Sequence, residues 1–187
     1  GYELTKEMYV KTLGLTGMAL SEMLKSLFGE DYPEKEVTSR VRKRLSEIAE
    51  SEGLPVKPGI RELLEFLREK EIECVIASST HTKYIIGYLA AVGLDGYFSA
   101  ITGGERAKRS KPAPDIFLKA LGDTPKAGAL VLEDSENGIK AAYAAGIAVI
   151  CIPDMVMPSK DVISLAECTA GSAADVKEII RGKYANT

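Results

Sequence analysis

The sequence lacks an excess of basic charge, a long apolar run and a paired set of cysteines. Its 24 basic and 27 acidic side chains leave a formal net charge of −3. We therefore expect no nucleic-acid partner, because no basic field is present to neutralise phosphate backbones. No apolar stretch approaches the length of about 18 residues that favours a membrane span, and no signal peptide opens the chain. These features are typical of a globular protein that works away from membranes.

The three cysteines are odd in number and far apart, at Cys74, Cys151 and Cys168. Cys74 and Cys151 lie inside apolar, strand-like runs, which favours small buried hydrophobic residues over metal ligands or nucleophiles. We expect a protein of the reducing cytoplasm. Composition indicates nothing about its oligomeric state.

Residues 1–56 show helical periodicity only. Two apolar stripes have the spacing of amphipathic helices, and they consist of Leu20, Met23, Leu24, Leu27 and Phe28, and of Val37, Val41, Leu45 and Ile48. A weaker helical pattern covers residues 4–13. The charges between residues 34 and 52 mix both signs, which is typical of a solvated helix face. We predict a small, all-helical unit.

From residue 57 onward, short apolar runs alternate with helical spacing. The runs are residues 74–77, 100–102, 129–132 and 147–152. This alternation is typical of an α/β fold in which helices cover both faces of a parallel sheet. We therefore predict a doubly wound parallel sheet in residues 57–187, preceded by the helical unit.

Polar residues follow three of these segments, where an open parallel sheet binds its ligands. Glu133-Asp134-Ser135 comes directly after the run 129–132. Adjacent carboxylates repel each other, and a hard divalent cation such as Mg²⁺ relieves that repulsion. The alternative is that Asp134 or Ser135 only caps the following helix.

The second group, Ser78-Ser79-Thr80, follows the run 74–77. It is either a phosphate site made of hydroxyls and free N–H groups at a helix N-terminus or an ordinary helix cap. His81, the only histidine, is interpreted as a solvated surface residue. Lys111, in the loop before the helix that follows Pro114, could bind phosphate or neutralise the carboxylate pair. Its alternative is an ordinary surface lysine.

The order of these groups resembles motifs two, three and four of the haloacid dehalogenase superfamily. The stretches KPAPDIF (111–117) and LEDSENGIKAAYAAG (132–146) are similar to the small-cap subfamily that includes phosphoglycolate phosphatase and β-phosphoglucomutase. The resemblance covers almost the whole chain, with residues 1–56 resembling the helical cap and residues 57–187 the α/β core.

The resemblance implies a magnesium-dependent phosphatase that acts on a small phosphorylated metabolite through an aspartyl-phosphate. Ser78 would hydrogen-bond the transferring phosphoryl group, and Ser79 would help through its backbone N–H. Lys111 would pair with the phosphoryl oxygens and the nucleophile. Asp134, with Glu133 beside it, would hold Mg²⁺. In such a site catalysis consists mainly of placement and charge stabilisation.

The sequence departs from the family pattern in the nucleophile. Relatives carry it in an Asp-x-Asp motif at the end of an apolar strand before the cap, and this sequence has no Asp-x-Asp. The sequence therefore predicts a truncated, cleaved or partly recorded chain that is inactive as written. It also predicts that one strand position of the sheet, between the strands at 74–77 and 129–132, is unfilled. These two strands would then lie roughly 9–10 Å apart, twice the ordinary strand spacing.

Three other functions stay open. The cap loop at residues 13–18 places Met18 where β-phosphoglucomutase would have an arginine, which disfavours a phosphosugar mutase without excluding it. Haloacid dehalogenation is disfavoured, because Glu133-Asp134 suits a metal-bound phosphate. A catalytically dead binding or regulatory homologue is the third.

Overall fold

The computed structural model describes residues 2–12, 15 and 17–183. Their contacts divide the chain into two compact units, Gly1–Leu54 and Pro55–Thr187, whereas the sequence placed the boundary after residue 56. Among the described helices, none combines the length and the apolar character needed to cross a bilayer. Half of the cap loop at residues 13–18, namely residues 13, 14 and 16, lies outside the described residues.

The first unit is helical, as its periodicity predicts. It contains α1 (Lys6–Thr12), α2 (Gly17–Phe28) and α3 (Glu34–Glu52). An aromatic cluster packs at one end of α2, where Tyr2, Phe28 and Tyr32 have ring centroids 5.0–5.5 Å apart. The Ser21 hydroxyl donates a hydrogen bond of 2.5 Å to Glu34, which joins α2 to the first turn of α3.

The second unit alternates helices and strands. It contains α4 (Ile60–Glu69), β1 (Val75–Ala77), α5 (Thr82–Ala91), β2 (Ala100–Thr102), α6 (Asp115–Leu121), β3 (Leu130–Glu133), α7 (Glu136–Ala145), β4 (Ala148–Cys151), α8 (Lys160–Ile163), β5 (Cys168–Thr169) and α9 (Ala173–Lys183). The predicted α/β alternation is confirmed from α4 to β4. The sequence analysis identified none of the elements after β4.

Helices cover both faces of the β3–β4–β5 sheet, as the continuous apolar runs predict. Successive side chains of β4 point to opposite faces. Val149 and Cys151 belong to a core with residues of α6, α7 and α8, whereas Ile150 belongs to a second core with residues of α4 and α9. All three side chains are at most 1% exposed. This burial fixes β4, and the parallel ladder between β4 and β3 then fixes the position of the residues that follow β3.

The strands form two separate parallel sheets. One pairs β1 with β2, and the other has the order β3–β4–β5. Within the described part of the chain β1 forms no ladder with β3, as the prediction of an unfilled strand position between them requires. Cys74 O and Ser78 N bond to the β2 side, so the backbone groups of Val75 and Ala77 face the other way, because successive residues of a strand alternate.

The open edge of β3 follows from the same alternation. Glu133 O accepts a hydrogen bond from Ile152 N on the β4 side, which turns the backbone groups of Leu132 away from β4. Val75 and Leu132 are 41% and 38% exposed, although strands of parallel sheets are normally covered on both faces. In the part of the chain that the structure describes, each sheet therefore ends in an open, apolar edge, β1 in one and β3 in the other.

Candidate phosphate and metal site

Ser78 begins a tight turn at the carboxyl end of β1. Its N–H donates to Thr102 O at 3.0 Å, and its hydroxyl oxygen accepts from Thr80 N at 3.1 Å. The turn keeps the hydroxyl at the strand end with its own proton still available for donation. Ser78 is half-buried and Ser79 is exposed, so both can meet a ligand.

The helix after this turn begins at Thr82, and His81 is its N-cap. The imidazole Nδ1 of His81 accepts from Lys83 N at 3.3 Å. His81 is a solvated surface residue as interpreted, with its side chain 50% exposed, and it also caps the helix, so the alternative that the serine triplet caps the helix is wrong. The Glu105 carboxylate accepts from Thr82 N at 3.1 Å. A phosphate at this turn would thus meet Ser78 and Ser79, because the first N–H groups of α5 already have acceptors.

Lys111 lies between the ends of the two sheets. Its Nζ donates to the Ala77 carbonyl oxygen at 3.4 Å and forms an ion pair with the Glu133 carboxylate. The lysine side chain is 9% exposed, so the alternative of an ordinary surface lysine is wrong. The ammonium also lies 4.6 Å from the centroid of the Phe117 ring, in a cation–π contact. Lys111 is a buried cation at the carboxyl ends of both β1 and β3.

The loop that carries Lys111 is closed by an ion pair. The Arg109 guanidinium and backbone N–H both donate to the Asp115 carboxylate, with the shortest contact at 2.8 Å. Arg109 holds the pKa of Asp115 below its usual value. Because Asp115 begins α6, the pair fixes the loop against the helix that carries Phe117.

Glu133 accepts hydrogen bonds at both of its carboxylate oxygens. Oε1 contacts Lys111, and Oε2 accepts from Asp134 N at 3.1 Å, from Ser135 N at 3.2 Å and from the Ser135 hydroxyl at 3.0 Å. Burial is the largest single influence on the pKa of Glu133 and raises it, but the Lys111 charge and the hydrogen bonds from Lys111 and Ser135 together outweigh burial, so the pKa lies below its ordinary value. Glu133 is therefore an ionised carboxylate whose main partner is Lys111.

The start of α7 depends on a close approach. A Cβ atom added at Gly138 would overlap the Glu133 carboxyl group, so only glycine leaves room for that carboxylate. The Ser135 hydroxyl accepts from Gly138 N at 3.1 Å and caps α7. The capping alternative is thus correct for Ser135. It does not describe Asp134, whose side chain is no part of the cap.

The surroundings of Asp134 disfavour the charged form of its carboxylate. Burial raises the pKa of Asp134 above its ordinary value, and the charge of Glu133, followed by that of Asp154, raises it further. Asp154 lies in the loop after β4 and pairs with Lys57. Within the described part of the chain no group of three or more His, Cys, Asp or Glu residues could hold a metal ion. A cation here would rely on Asp134 and on ligands from outside this set.

The structure brings the predicted residues to one end of the two sheets. Lys111 contacts Glu133 directly, Asp134 follows Glu133, and Ser78 follows the Ala77 carbonyl that Lys111 also contacts. The sequence analysis did not identify Phe117 or Gly138, although both lie in the stretches that carried the resemblance. It also missed Asp154, for which the only signal was its position just after an apolar run.

A doubly wound α/β core with polar groups at the carboxyl ends of its strands defines a class of ligand-binding proteins and enzymes. A family model described as haloacid dehalogenase-like hydrolase matches residues 1–152. The chain belongs to this family, and the resemblance that the motifs predicted is confirmed.

Two curated relatives and one solved structure extend this result. The chain is 31% identical over 160 residues to the candidate phosphatase YhcW of Bacillus subtilis, a match covering 83% of this chain and 71% of the relative. It is 38% identical over 100 residues to a phosphorylated carbohydrates phosphatase of Thermotoga maritima, covering 52% and 46%. The structure of CbbY from Rhodobacter sphaeroides in complex with phosphate aligns with a TM-score of 0.78 at 25% identity, covering 94% of this chain and 81% of CbbY.

The matched segments span about half the length of several curated relatives, with shares of 46%, 51% and 42%. Family membership therefore describes this chain, whereas the activity and substrate of a whole protein are a matter for proposal.

Proposed function

We propose that this chain supplies the phosphate and metal site of a magnesium-dependent phosphatase that acts on a small phosphorylated metabolite. The observation that carries the proposal is the buried ammonium of Lys111, which contacts the ends of both β1 and β3. A fixed cation at the carboxyl ends of parallel strands suits a phosphoryl group, whose charge must be neutralised during transfer. The relatives named as phosphatases support the same reaction class.

In this proposal three residues receive the phosphoryl group. The Ser78 hydroxyl donates its proton to a phosphoryl oxygen, since the hydroxyl only accepts in its bond with Thr80 N and the proton stays available. Ser79 is exposed beside it and donates through its backbone N–H. Lys111 provides the positive charge, and its partners Glu133 and Phe117 keep the ammonium in place. These groups orient and neutralise, which is most of what phosphoryl transfer needs from a protein.

The negative charge of the carboxylates Asp134 and Glu133 suits a magnesium ion. The raised pKa of Asp134 marks a place where a cation would relieve repulsion between carboxylates. Mg²⁺ commonly uses one or two carboxylates and completes its coordination with water and substrate phosphate. Asp134 would be the direct ligand, and Glu133 would stay paired with Lys111 beside it. A bound Mg²⁺ would supply further neutralisation of the phosphoryl oxygens.

The nucleophile of the proposed reaction is an aspartate that forms an aspartyl-phosphate, as the family resemblance implies. The sequence contains no Asp-x-Asp motif, so we expect residues 1–187 by themselves to be inactive. The open edges of β1 and β3 are where a strand carrying such a motif would pair. The same features would suit a catalytically dead binding homologue, and activity separates the two functions.

A gain-of-function fusion tests the proposal. The apolar strand and Asp-x-Asp motif of a phosphatase relative would be joined through a flexible linker ahead of residue 1, and hydrolysis of small phosphomonoesters would be assayed with Mg²⁺. We expect hydrolysis by the fusion and none by residues 1–187 without the fused strand. A matched fusion carrying Asn-x-Asn should be inactive. Turnover by purified residues 1–187 without the fused strand would show that the nucleophile lies within this chain. A folded but inactive fusion would favour the binding homologue.

A further inference from the structure

The segment after β2 holds the Ser78 turn through several hydrogen bonds. Thr102 O accepts from Ser78 N at 3.0 Å, and Gly104 N donates to Thr80 O at 3.0 Å. Gly103 N donates to the Thr82 hydroxyl at 3.1 Å. The turn at residues 78–82 is thus bonded along its length to the segment 102–104.

The two glycines of this segment permit the close approach. A Cβ atom at Gly103 would overlap the backbone N of Thr82, and one at Gly104 would overlap the carbonyl oxygen of Ser79. Backbone atoms cannot swing aside as a flexible side chain can. The segment and the turn therefore fit together only with glycine at both positions.

Glu105 completes this arrangement with its side chain. Its carboxylate accepts from the Thr82 N–H at 3.1 Å and from the Thr82 hydroxyl at 2.5 Å. These hydrogen bonds hold the pKa of Glu105 below its ordinary value, so the carboxylate is ionised and the bonds are charge-assisted. The side chain is 31% exposed and lies 3.8 Å from His81 Nδ1.

We propose that Glu105 is a positioning residue, which fixes Ser78 and Ser79 for phosphate by binding Thr82 at the far end of their turn. The inference rests on the proposed function, because it assigns Glu105 a role in the same site. Its charge alone would oppose that role, since a nearby carboxylate repels a phosphate dianion. Geometry and charge thus predict opposite effects of removing Glu105, and this opposition makes the inference testable.

Two substitutions separate geometry from charge. Glu105→Gln and Glu105→Ala remove the same charge, but glutamine keeps an oxygen of similar reach that can accept from Thr82. Glu178→Gln is the matched control, because Glu178 lies on α9 with its side chain 63% exposed. Urea unfolding confirms that each variant is folded before it is compared.

Hydrogen exchange measures how well the backbone N–H groups of the turn are protected, without any ligand. We expect Glu105→Ala to speed exchange in peptides spanning residues 78–84 and to leave peptides spanning 129–136 unchanged. Glu105→Gln and Glu178→Gln should match the wild type. Unchanged exchange at 78–84 in Glu105→Ala would overturn the inference.

The effect of each substitution on ligand binding is measured by calorimetry, as the affinity for inorganic phosphate with Mg²⁺. Glu105→Ala should bind phosphate about tenfold more weakly, the equivalent of one hydrogen bond to a charged group, and Glu105→Gln should not bind it more weakly than the wild type. Equal changes in both variants would mean that Glu105 acts through charge, which overturns the inference.

Lys111→Met serves as the test of the site itself. If Lys111→Met loses phosphate and Glu105→Ala does not, the inference about Glu105 is wrong and the proposed function stands. If the wild type binds no phosphate, or Lys111→Met binds it as well as the wild type does, the proposed site fails and the role of Glu105 fails with it.

Discussion

Removing Lys111 should destabilise the chain far more than removing an ordinary lysine. Lys111 and Glu133 are each 9% exposed, and breaking such a buried pair from one side costs about 3–5 kcal/mol because the remaining charge is buried without its partner. In Lys111→Met, Glu133 would keep its hydrogen bonds from Asp134 N, Ser135 N and the Ser135 hydroxyl. We therefore expect the lower end of this range, about 3 kcal/mol.

Urea unfolding measures this loss directly. The sequence has no tryptophan, so circular dichroism is the suitable signal. With a denaturant dependence of about 2 kcal/mol per molar urea, the midpoint should fall by about 1.5 M. Lys119→Met, an exposed lysine of α6, is the matched control and should change the free energy of unfolding by less than about 0.5 kcal/mol.

A second substitution tests the stated cause. Adding Glu133→Gln to Lys111→Met removes the uncompensated charge, so the double variant should be more stable than Lys111→Met alone. A loss below about 1 kcal/mol in Lys111→Met would be that of an exposed ion pair. Such a result would refute the argument that Lys111 is a buried cation at the strand ends.

Three further outcomes are expected. Gly138→Ala should cost about 1–3 kcal/mol in urea unfolding, because the new methyl group overlaps the Glu133 carboxyl group; an unchanged midpoint would contradict that packing. Arg109 lowers the pKa of Asp115 from 3.8, so ionised Asp115 stabilises the folded state above that pH, and this stabilisation is lost as the pH falls further. The difference in unfolding free energy between wild type and Asp115→Asn should therefore shrink from about pH 6 to about pH 3. Cys151, with 0% exposure and a pKa raised by burial, should resist maleimide in the native protein while half-buried Cys168 reacts; equal rates would argue against the packing of β4.

The sequence predicted most of the fold, because burial on both faces of a sheet leaves continuous apolar runs. The run Ile147–Ile152 became β4, whose residues are divided between two cores. β5 was not predicted, since the two residues Cys168–Thr169 are too few to show any period. The helices α8 and α9 that flank it were missed with it.

The candidate site was predictable where position along a strand decides it. Ser78, Glu133 and Asp134 could be placed because the carboxyl ends of parallel strands meet at one edge. The burial of Lys111 was not predictable, because it depends on contacts with Ala77 and Glu133, which are distant in sequence. The role of His81 as an N-cap depends on the helix beginning at Thr82, and helix boundaries are poorly defined by periodicity.

Substitution of Asp134 in the fusion that carries an Asp-x-Asp strand tests the central claim, that the ends of β1 and β3 form a magnesium-dependent phosphoryl-transfer site. The measurement is the rate of phosphomonoester hydrolysis over a range of Mg²⁺ concentrations, with urea unfolding as the control for folding. Asp134→Ala should abolish hydrolysis at every Mg²⁺ concentration while the protein stays folded. Hydrolysis by folded Asp134→Ala at the rate of the unsubstituted fusion would contradict the account.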